Sequence, residues 1–451
     1  MGKVTKLLGT LAEEYGDDVV RTVRRVLGDA AQPEQIEAAV KRTAKPAAPA
    51  VIRNRSGTPA AVARDVLSEA GQKGKGRQSY SAWRRANPGH GVLFDTSKLD
   101  RVPDRPQYQI PRRNPPRGPS DRIVDALNDP AVARGINETV ERGIEGGGKA
   151  WYNTDPVYRR MGSLMPSVDV DPAYARFMDI MAATSPRSKV PDNIRTGIYY
   201  NYLRANGLPI EEKPAKGFGS VAQNLHRDNV RRLEDLGGWD VFRNPKPASF
   251  SSNLQGNQQV ATIDTHNFRL PGILSGDPRF LETSISELAE SRQAGLDTLR
   301  RHYPNLSDEA LNSAVHPRKG GGITVSYRPQ EWVGKGYVSP EEVRSDPASW
   351  AAKPRDNEYG YYEKWQQDQA ADMGLSPAQY QASMWLGGGE DTGLGSAAEP
   401  FIGTLEARVR YTADRLGMDP ERVLDMMLRG EIPLLAEGGS VDKDALFAKY
   451  A

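Results

Sequence analysis

The sequence contains no cysteine. That absence excludes disulfide bonds, thiolate metal sites, iron–sulfur clusters and cysteine nucleophiles. Long apolar runs are missing too, since no stretch approaches the roughly 18–20 residues of a membrane span, and no secretory signal peptide is recognisable. We therefore expect a chain with no membrane span, suited to a reducing cytoplasm or equally to the interior of a virion.

A strong excess of one charge is also lacking. Lys and Arg number 60 against 58 Asp and Glu, a formal net charge of +2, so any nucleic-acid-binding surface must be a local patch. The five histidines are scattered with no H-x-x-x-H pair, which argues against a zinc site. The glycine loop at 216–222 has no preceding strand, so we expect neither a metal nor a cofactor.

What is present is helical periodicity. A length of 451 residues corresponds to roughly three domains, and apolar residues recur at helix spacing along most of the chain. The best strand signal is 321–329, so the predicted class is mostly α. The predicted organisation is N-terminal helices at 1–45, a basic Pro- and Gly-rich linker at 46–120, a helical domain at 121–390, and a C-terminal helical extension and tail at 391–451.

The linker carries the stretch SYSAWRRANPGHG, in which Tyr80 and Trp83 stand beside Arg84 and Arg85. Aromatic rings interleaved with cations are typical of contacts to single-stranded nucleic acid or to a phosphate backbone. The alternative is a solvated linker whose few aromatic side chains pack on a neighbouring element. The sequence leaves both interpretations open.

The stretch QVATIDTHNFRL ends a buried-type apolar run on Asp264, with His266 and Arg269 close behind. Asp264 is suited to be the N-cap of a short helix, where its carboxylate accepts amide hydrogens of the first turn. An ionised carboxylate at the mouth of a helical cleft also stabilises a developing oxocarbenium ion. The two roles are compatible, because one carboxylate can do both.

The segment ATIDTHNFRL resembles the VDTH-x-x-R segment of helix-hairpin-helix DNA glycosylases of the endonuclease III type. Residues 177–203 resemble the early helix pair of that family, whose second helix is entered near an Asn, here Asn193, and 361–385 loosely resembles a later pair. The resemblance implies a two-lobed helical domain with its core at 170–275. It also implies that Asp264 is the essential carboxylate.

A lysine supports the same resemblance. Bifunctional members place a Schiff-base lysine eighteen residues before the aspartate, and Lys246 stands at that spacing here. The chain departs from the family elsewhere: WDVFRNPKPASF replaces the Gly-rich hairpin, Pro186 stands near the wedge glutamine, and the cysteine cluster is missing.

If the resemblance extends to activity, a flipped base is excised with Asp264 and Lys246 as catalytic residues, and DNA is the partner. A solvated helix face is the alternative role for each cation taken singly. The candidate substrate contacts are His266, Arg269, Asn253 and Asn193, and the candidate DNA contacts are Arg187, Lys189, Arg195, Arg84 and Arg85.

The ending LLAEGGSVDKDALFAKYA favours a different class of function. It resembles the ending of many tailed-phage virion proteins, with a Gly-Gly-Ser break before a short amphipathic tail. This interpretation predicts an internal or ejected structural protein that contacts DNA or other virion proteins through a non-catalytic central domain. Both interpretations can hold together, since phage particles can carry DNA-acting enzymes.

Overall fold

The computed structural model describes eleven stretches of the chain. The predicted N-terminal helices at 1–45, most of the predicted linker, Arg187 and the C-terminal tail lie outside them. The described residues are 80–88, 93–94, 118–186, 188–210, 224–239, 245–282, 285–289, 291–318, 323–351, 353–393 and 400–432.

Helices dominate these residues, which confirms the predicted mostly α class. Within those ranges, none of the helices combines the length and the apolar character that crossing a bilayer requires. In chain order the helices are α1 (Tyr80–Ala86), α2 (Asp121–Asn128), α3 (Pro130–Glu145), α4 (Asp155–Leu164), α5 (Ser167–Ala183), α6 (Val190–Ala205), α7 (Asn224–Leu236), α8 (Pro245–Leu254), α9 (Thr265–Ser275), α10 (Arg292–His302), α11 (Asp308–Ala314), α12 (Pro329–Gly334), α13 (Pro340–Ser345), α14 (Asp356–Asp372), α15 (Pro377–Gly387), α16 (Phe401–Leu416) and α17 (Pro420–Leu428).

The described chain forms two compact units. Unit 1 contains the described parts of Met1–Lys98, Thr154–Ser251 and Ile402–Ala451, and unit 2 contains those of Leu99–Asn153 and Ser252–Phe401. The stretch predicted as one helical domain, 121–390, is thus divided between both units, and most of the predicted C-terminal extension that is described belongs to unit 1.

In unit 1, α5 and α6 form a tightly packed pair. One face of α5 is buried, with Phe177, Met178 and Met181 at 0% exposure. Gly197 of α6 packs closely on that face, because a Cβ there would lie 2.4 Å from the Met181 sulfur and would displace the methionine side chain. The side-chain amide of Asn193 donates to the Met181 carbonyl at 2.7 Å, so it satisfies a carbonyl near the end of α5.

In unit 2, α3 and α15 cross at a point where only glycine fits. A Cβ at Gly143 would lie 1.7 Å from the Ser383 carbonyl oxygen, and one at Gly387 would lie 1.9 Å from the Thr139 carbonyl oxygen. At the start of α3 the Asp129 carboxylate accepts from the Ala131 N–H at 2.8 Å and caps the helix. The glycines of this region therefore serve helix packing.

A buried ion pair joins α2 to α14 in the same unit. Arg122 Nε lies 2.7 Å from Glu358 Oε1, with the two side chains 7% and 0% exposed. The guanidinium also lies over the rings of Phe268 and Phe280, 5.6 and 5.0 Å from their centroids. Burial opposes ionisation of Glu358, but hydrogen bonds from Arg122 and Ser120 keep its pKa below the ordinary value.

Three short strands form an antiparallel sheet in unit 2: β1 (Ile285–Ala289), β2 (Val315–Pro317) and β3 (Ile323–Tyr327), in the order β1-β3-β2. β3 confirms the predicted strand. Helical spacing over 279–303 predicts a single helix there. That prediction is wrong in its first half, since β1 occupies part of the range and the helix begins at Arg292. Pairing of β1 with β3, which no local pattern reveals, overrides the helical spacing.

Candidate functional site

An extended segment, 259–263, leads to Asp264 in unit 2 and is held by one face of α14. Four residues of a helix rise about 6 Å, and two extended residues span about 6.6 Å. Every fourth residue of α14 can therefore contact every second residue of the segment, three times in succession. This arrangement satisfies backbone groups of a segment that belongs to no sheet. Each contact measures 3.2 Å: Ile263 N–H to the Tyr359 hydroxyl, Ala261 N–H to Glu363 Oε1, and Gln367 Nε2 to the Gln259 carbonyl.

Asp264 is the N-cap of α9, as its sequence position predicts. Its backbone is extended, and its Oδ1 accepts the N–H groups of His266 and Asn267, both at 2.9 Å. No donor from the described part of the chain reaches the other oxygen, Oδ2. The side chain is partly buried, not walled off from solvent. The helix therefore fixes the carboxylate through one oxygen, and its N-terminus favours the negative charge.

A buried polar network lies behind this cap. The Tyr152 hydroxyl donates to Gln381 Oε1 at 2.6 Å, and the side-chain amides of Gln381 and Asn267 are 2.7 Å apart. The three residues are 5%, 2% and 1% exposed, respectively. Burial raises the pKa of Tyr152, the Thr262 hydroxyl opposes this shift, and the charge of Asp264 adds to it. Tyr152 is therefore a protonated hydroxyl at neutral pH.

His266 and Arg269 face the turn that follows α15. His266 Nδ1 lies 3.2 Å from the Thr392 carbonyl, and Arg269 Nη1 donates to the same carbonyl at 3.2 Å. Arg269 Nε donates to the Trp350 carbonyl, also at 3.2 Å. These contacts hold two backbone segments against α9, so both side chains have a structural function beside the predicted substrate contact.

The two predicted substrate-binding asparagines are placed differently from the expectation. Asn253 is 0% exposed and Asn193 is 3% exposed. The Asn253 amide donates to the Asn257 carbonyl at 2.8 Å and accepts from the Thr262 hydroxyl at 2.7 Å. The prediction of direct substrate contact is corrected here, because buried amides bonded within the fold are positioning groups: Asn253 holds the loop before Asp264, and Asn193 joins α5 to α6.

Lys246 is the second residue of α8 and belongs to unit 1, whereas Asp264 belongs to unit 2. Its side chain is partly buried. The chain between Lys246 and Asp264 thus contains most of α8, the sequence boundary between the two units and the segment 259–263. A catalytic function for Lys246 stays a prediction.

The aromatic side chains of the predicted nucleic-acid-binding stretch are buried in unit 1. Tyr80 and Trp83 of α1 are each 6% exposed and pack against Tyr411 of α16, with ring centroids 5.5 and 5.8 Å away. The indole N–H of Trp83 donates to Asp414 Oδ2 at 2.6 Å. These rings are not exposed for base stacking, so of the two interpretations the structure favours packing on a neighbour.

The cations of that stretch have a different environment. Arg85 is exposed, and Arg84 donates to the Asn87 carbonyl at 2.7 Å. Arg408 of α16 connects this helix to the start of α6, since its guanidinium lies 3.7 Å from the Tyr80 ring centroid and its Nη2 lies 3.3 Å from Asp192 Oδ1.

Two candidate DNA contacts, Lys189 and Arg195, flank Asp192. Lys189 is exposed, and Arg195 lies 3.9 Å from the Asp192 carboxylate. Arg408 therefore links the helix that carries Arg84 and Arg85 to the start of the helix that carries Arg195. Arg187 lies outside the described residues.

Three residues of these sites, Tyr152, Gln381 and Arg408, were not predicted from the sequence. Gln381 and Arg408 are single polar residues within helices and Tyr152 lies in a turn, so no local signal marks them. Among the described residues, no three histidine or acidic side chains cluster in a way that would hold a metal ion. No family model, curated protein or solved structure matches the chain. A function must therefore be inferred from the geometry of these sites.

Proposed function

We propose that this protein is a DNA-acting N-glycosylase in which Asp264 is the catalytic carboxylate. One observation carries the proposal. Asp264 is held by two backbone N–H groups through one oxygen, while the other oxygen has no donor from the described residues. A carboxylate fixed in this way needs no reorganisation before it stabilises a positive charge.

The chemistry required of Asp264 is electrostatic. As the bond between the base and C1′ of the deoxyribose breaks, the base leaves with the electron pair and positive charge develops on the sugar. Asp264 stabilises that charge, and water then adds to C1′ and loses a proton. The target nucleotide must first be rotated out of the base stack, as in other enzymes that act on a base.

Lys246 decides whether the enzyme is also a lyase. If its amine is deprotonated, it attacks C1′ in place of water, and opening of the sugar ring gives an imine between lysine and sugar. Lys246 lies in the first turn of α8, in the part of that helix that belongs to unit 1. Without this attack, the product is an intact abasic site.

The cations of unit 1 are proposed to bind the phosphate backbone. Arg85 and Lys189 are exposed, and the contacts of Arg408 with Tyr80 and Asp192 link α1 to the start of α6. Because phosphate contacts position a protein without reading sequence, this surface would supply affinity and not base specificity.

The test uses a panel of duplex and single-stranded DNAs that contain damaged bases, modified phage bases or abasic sites. Base release is measured, and borohydride is added to half of each reaction to trap a covalent adduct. Base release by the wild type supports the glycosylase. A covalent adduct that is lost in Lys246→Arg supports the lyase as well. Release without an adduct restricts the function to base removal, and no release from any DNA contradicts the proposal.

A structural protein of a tailed-phage virion is the second candidate, with the glycosylase-like region non-catalytic. The observation that favours it is the internal use of polar groups around the cap: His266 and Arg269 hold backbone carbonyls, and Asn253 is completely buried. Incorporation of the protein into purified phage particles, together with no base release, would support this candidate.

A further inference from the structure

We infer that Tyr152 is a positioning residue for Asp264, acting through Gln381 and Asn267. The inference rests on the proposed function, because it concerns the carboxylate assigned to catalysis. Tyr152 itself is too deeply buried to touch a substrate, at 5% exposure. Its effect must therefore pass through the groups that it contacts.

Those contacts lead to the cap in two steps. The Tyr152 hydroxyl donates to Gln381 at 2.6 Å, and the Gln381 amide lies 2.7 Å from that of Asn267. Asn267 supplies one of the two backbone N–H groups that hold Asp264 Oδ1, at 2.9 Å. Each member is buried, so water cannot easily replace a lost partner.

The expected consequence of removing the hydroxyl follows from this burial. Gln381 Oε1 would lose its only donor among the described side chains, and the amide would turn to find another partner. That movement would release Asn267, and with it the first turn of α9. The Asp264 carboxylate would then populate several orientations and no longer only the one fixed by its cap.

A matched control exists on the same helix as Gln381. Tyr380 is 0% exposed, and its hydroxyl donates to Asn137 Oδ1 at 2.8 Å. It belongs to the same unit, and its buried hydroxyl has one amide partner, Asn137 of α3, which among the described residues bonds to Tyr380 and Gln369 and not to the cap. Tyr380→Phe therefore reproduces the loss of a buried hydroxyl without touching the route to Asp264.

The experiment compares the wild type, Tyr152→Phe and Tyr380→Phe as full chains. Hydrogen exchange is measured at the backbone amides of His266 and Asn267, which donate to Asp264, and single-turnover base release is measured beside DNA affinity. Tyr152→Phe should accelerate exchange at both amides about tenfold, the scale of one lost buried hydrogen bond. It should slow base release by a similar factor with unchanged affinity, and Tyr380→Phe should match the wild type in all three.

The outcomes separate this inference from the proposed function. Wild-type exchange and wild-type release in Tyr152→Phe would overturn the inference and leave the glycosylase standing. Faster exchange in Tyr152→Phe alone, with no base release by any form of the protein, would retain the positioning of the cap and reject the glycosylase. An equal effect of Tyr380→Phe would show a general loss of packing and overturn the inference. If Tyr152→Phe does not fold, Gln381→Met removes the next member of the route and should give the same exchange result.

Discussion

Helix α1 of unit 1 and the start of α9 in unit 2 both carry polar side chains that suggested function, and the fold uses them in opposite ways. In α1 the apparent ligands are the aromatic rings, yet Tyr80 and Trp83 are buried, whereas Arg85 is exposed. At α9 the neighbours of Asp264 hold backbone carbonyls, while one oxygen of the carboxylate receives no donor from the residues that the structure describes. The residue types indicate what a site can do, and burial decides which of them remain able to do it.

The contrast has a simple energetic origin. Burying an aromatic ring such as Trp83 is favourable, because it removes a large apolar surface from water. Burying an unpaired carboxylate is strongly unfavourable. A fold therefore tends to take the rings inside and to leave a carboxylate at the surface unless it is paired, as Glu358 is with Arg122.

The largest effect is expected at the helix crossing of unit 2. Gly143→Ala should destabilise that unit by about 3 kcal/mol or more, because the new Cβ would overlap the Ser383 carbonyl and force the helices apart. The control is Gly162→Ala in α4 of unit 1, where no atom lies within 4 Å of the added Cβ, and a gain of about 0.5–1 kcal/mol is expected. The free energy of unfolding of each variant is measured by urea denaturation. Equal stability of the two variants would refute the tight crossing.

A second comparison concerns ion pairs. Glu358→Gln should cost about 3 kcal/mol, because it leaves Arg122 buried without its partner. In unit 1, Arg160 and Asp425 form a pair at 2.6 Å that is 30% and 21% exposed, so Asp425→Asn should cost at most about 1 kcal/mol. Denaturant unfolding at neutral pH measures both, and a larger loss in Asp425→Asn would contradict the difference.

The Glu358 pair also predicts a dependence on pH. The folded pKa of Glu358 lies below its ordinary value of 4.5, so its contribution is complete above that value and is lost as pH falls through the lowered folded pKa. Stability of the wild type should therefore decline in acid more steeply than that of Glu358→Gln. Asp277, whose pKa is also lowered, mainly by Arg279, supplies part of the decline that remains in the variant. Parallel curves for wild type and Glu358→Gln would rule out this linkage.

The smallest effect tests the cations of unit 1. Removal of one phosphate contact by Arg85→Ala or Lys189→Ala should reduce the slope of log Kd against log salt by about 1. Lys364→Ala in unit 2, which breaks only the contact with Asp368 one turn away, should leave that slope unchanged. DNA affinity measured at several salt concentrations gives the slopes. Identical slopes for all three variants would contradict the proposed contacts with the phosphate backbone.

Local patterns predicted much of this molecule. Helical spacing of apolar residues predicts helices at 358–373 and 376–386, and α14 and α15 lie within two residues of those bounds. Asp264 was recognisable as a cap, since an aspartate between an apolar run and a helical pattern has few other local functions. These predictions depend only on neighbours within one or two turns.

Long-range contacts account for what the sequence could not predict. β1 is a strand because β3 pairs with it from 34 to 42 residues further along the chain, as Ala289 opposite Ile323 and Ile285 opposite Tyr327 show. Tyr152 and Gln381 meet across 229 residues, and Trp83 and Asp414 across 331. A side chain whose partner is so distant carries no sign of it in its own segment.

Replacement of Asp264 by Asn tests the central claim most directly. Asn caps helices about as well as Asp, so the variant should fold with near-wild-type stability while it loses the negative charge. The matched control is Asp129→Asn, which changes the cap of α3 in the same unit, where Asp129 accepts from the Ala131 N–H. We predict that Asp264→Asn abolishes base release and that Asp129→Asn leaves it intact. Undiminished base release by folded Asp264→Asn would contradict the account.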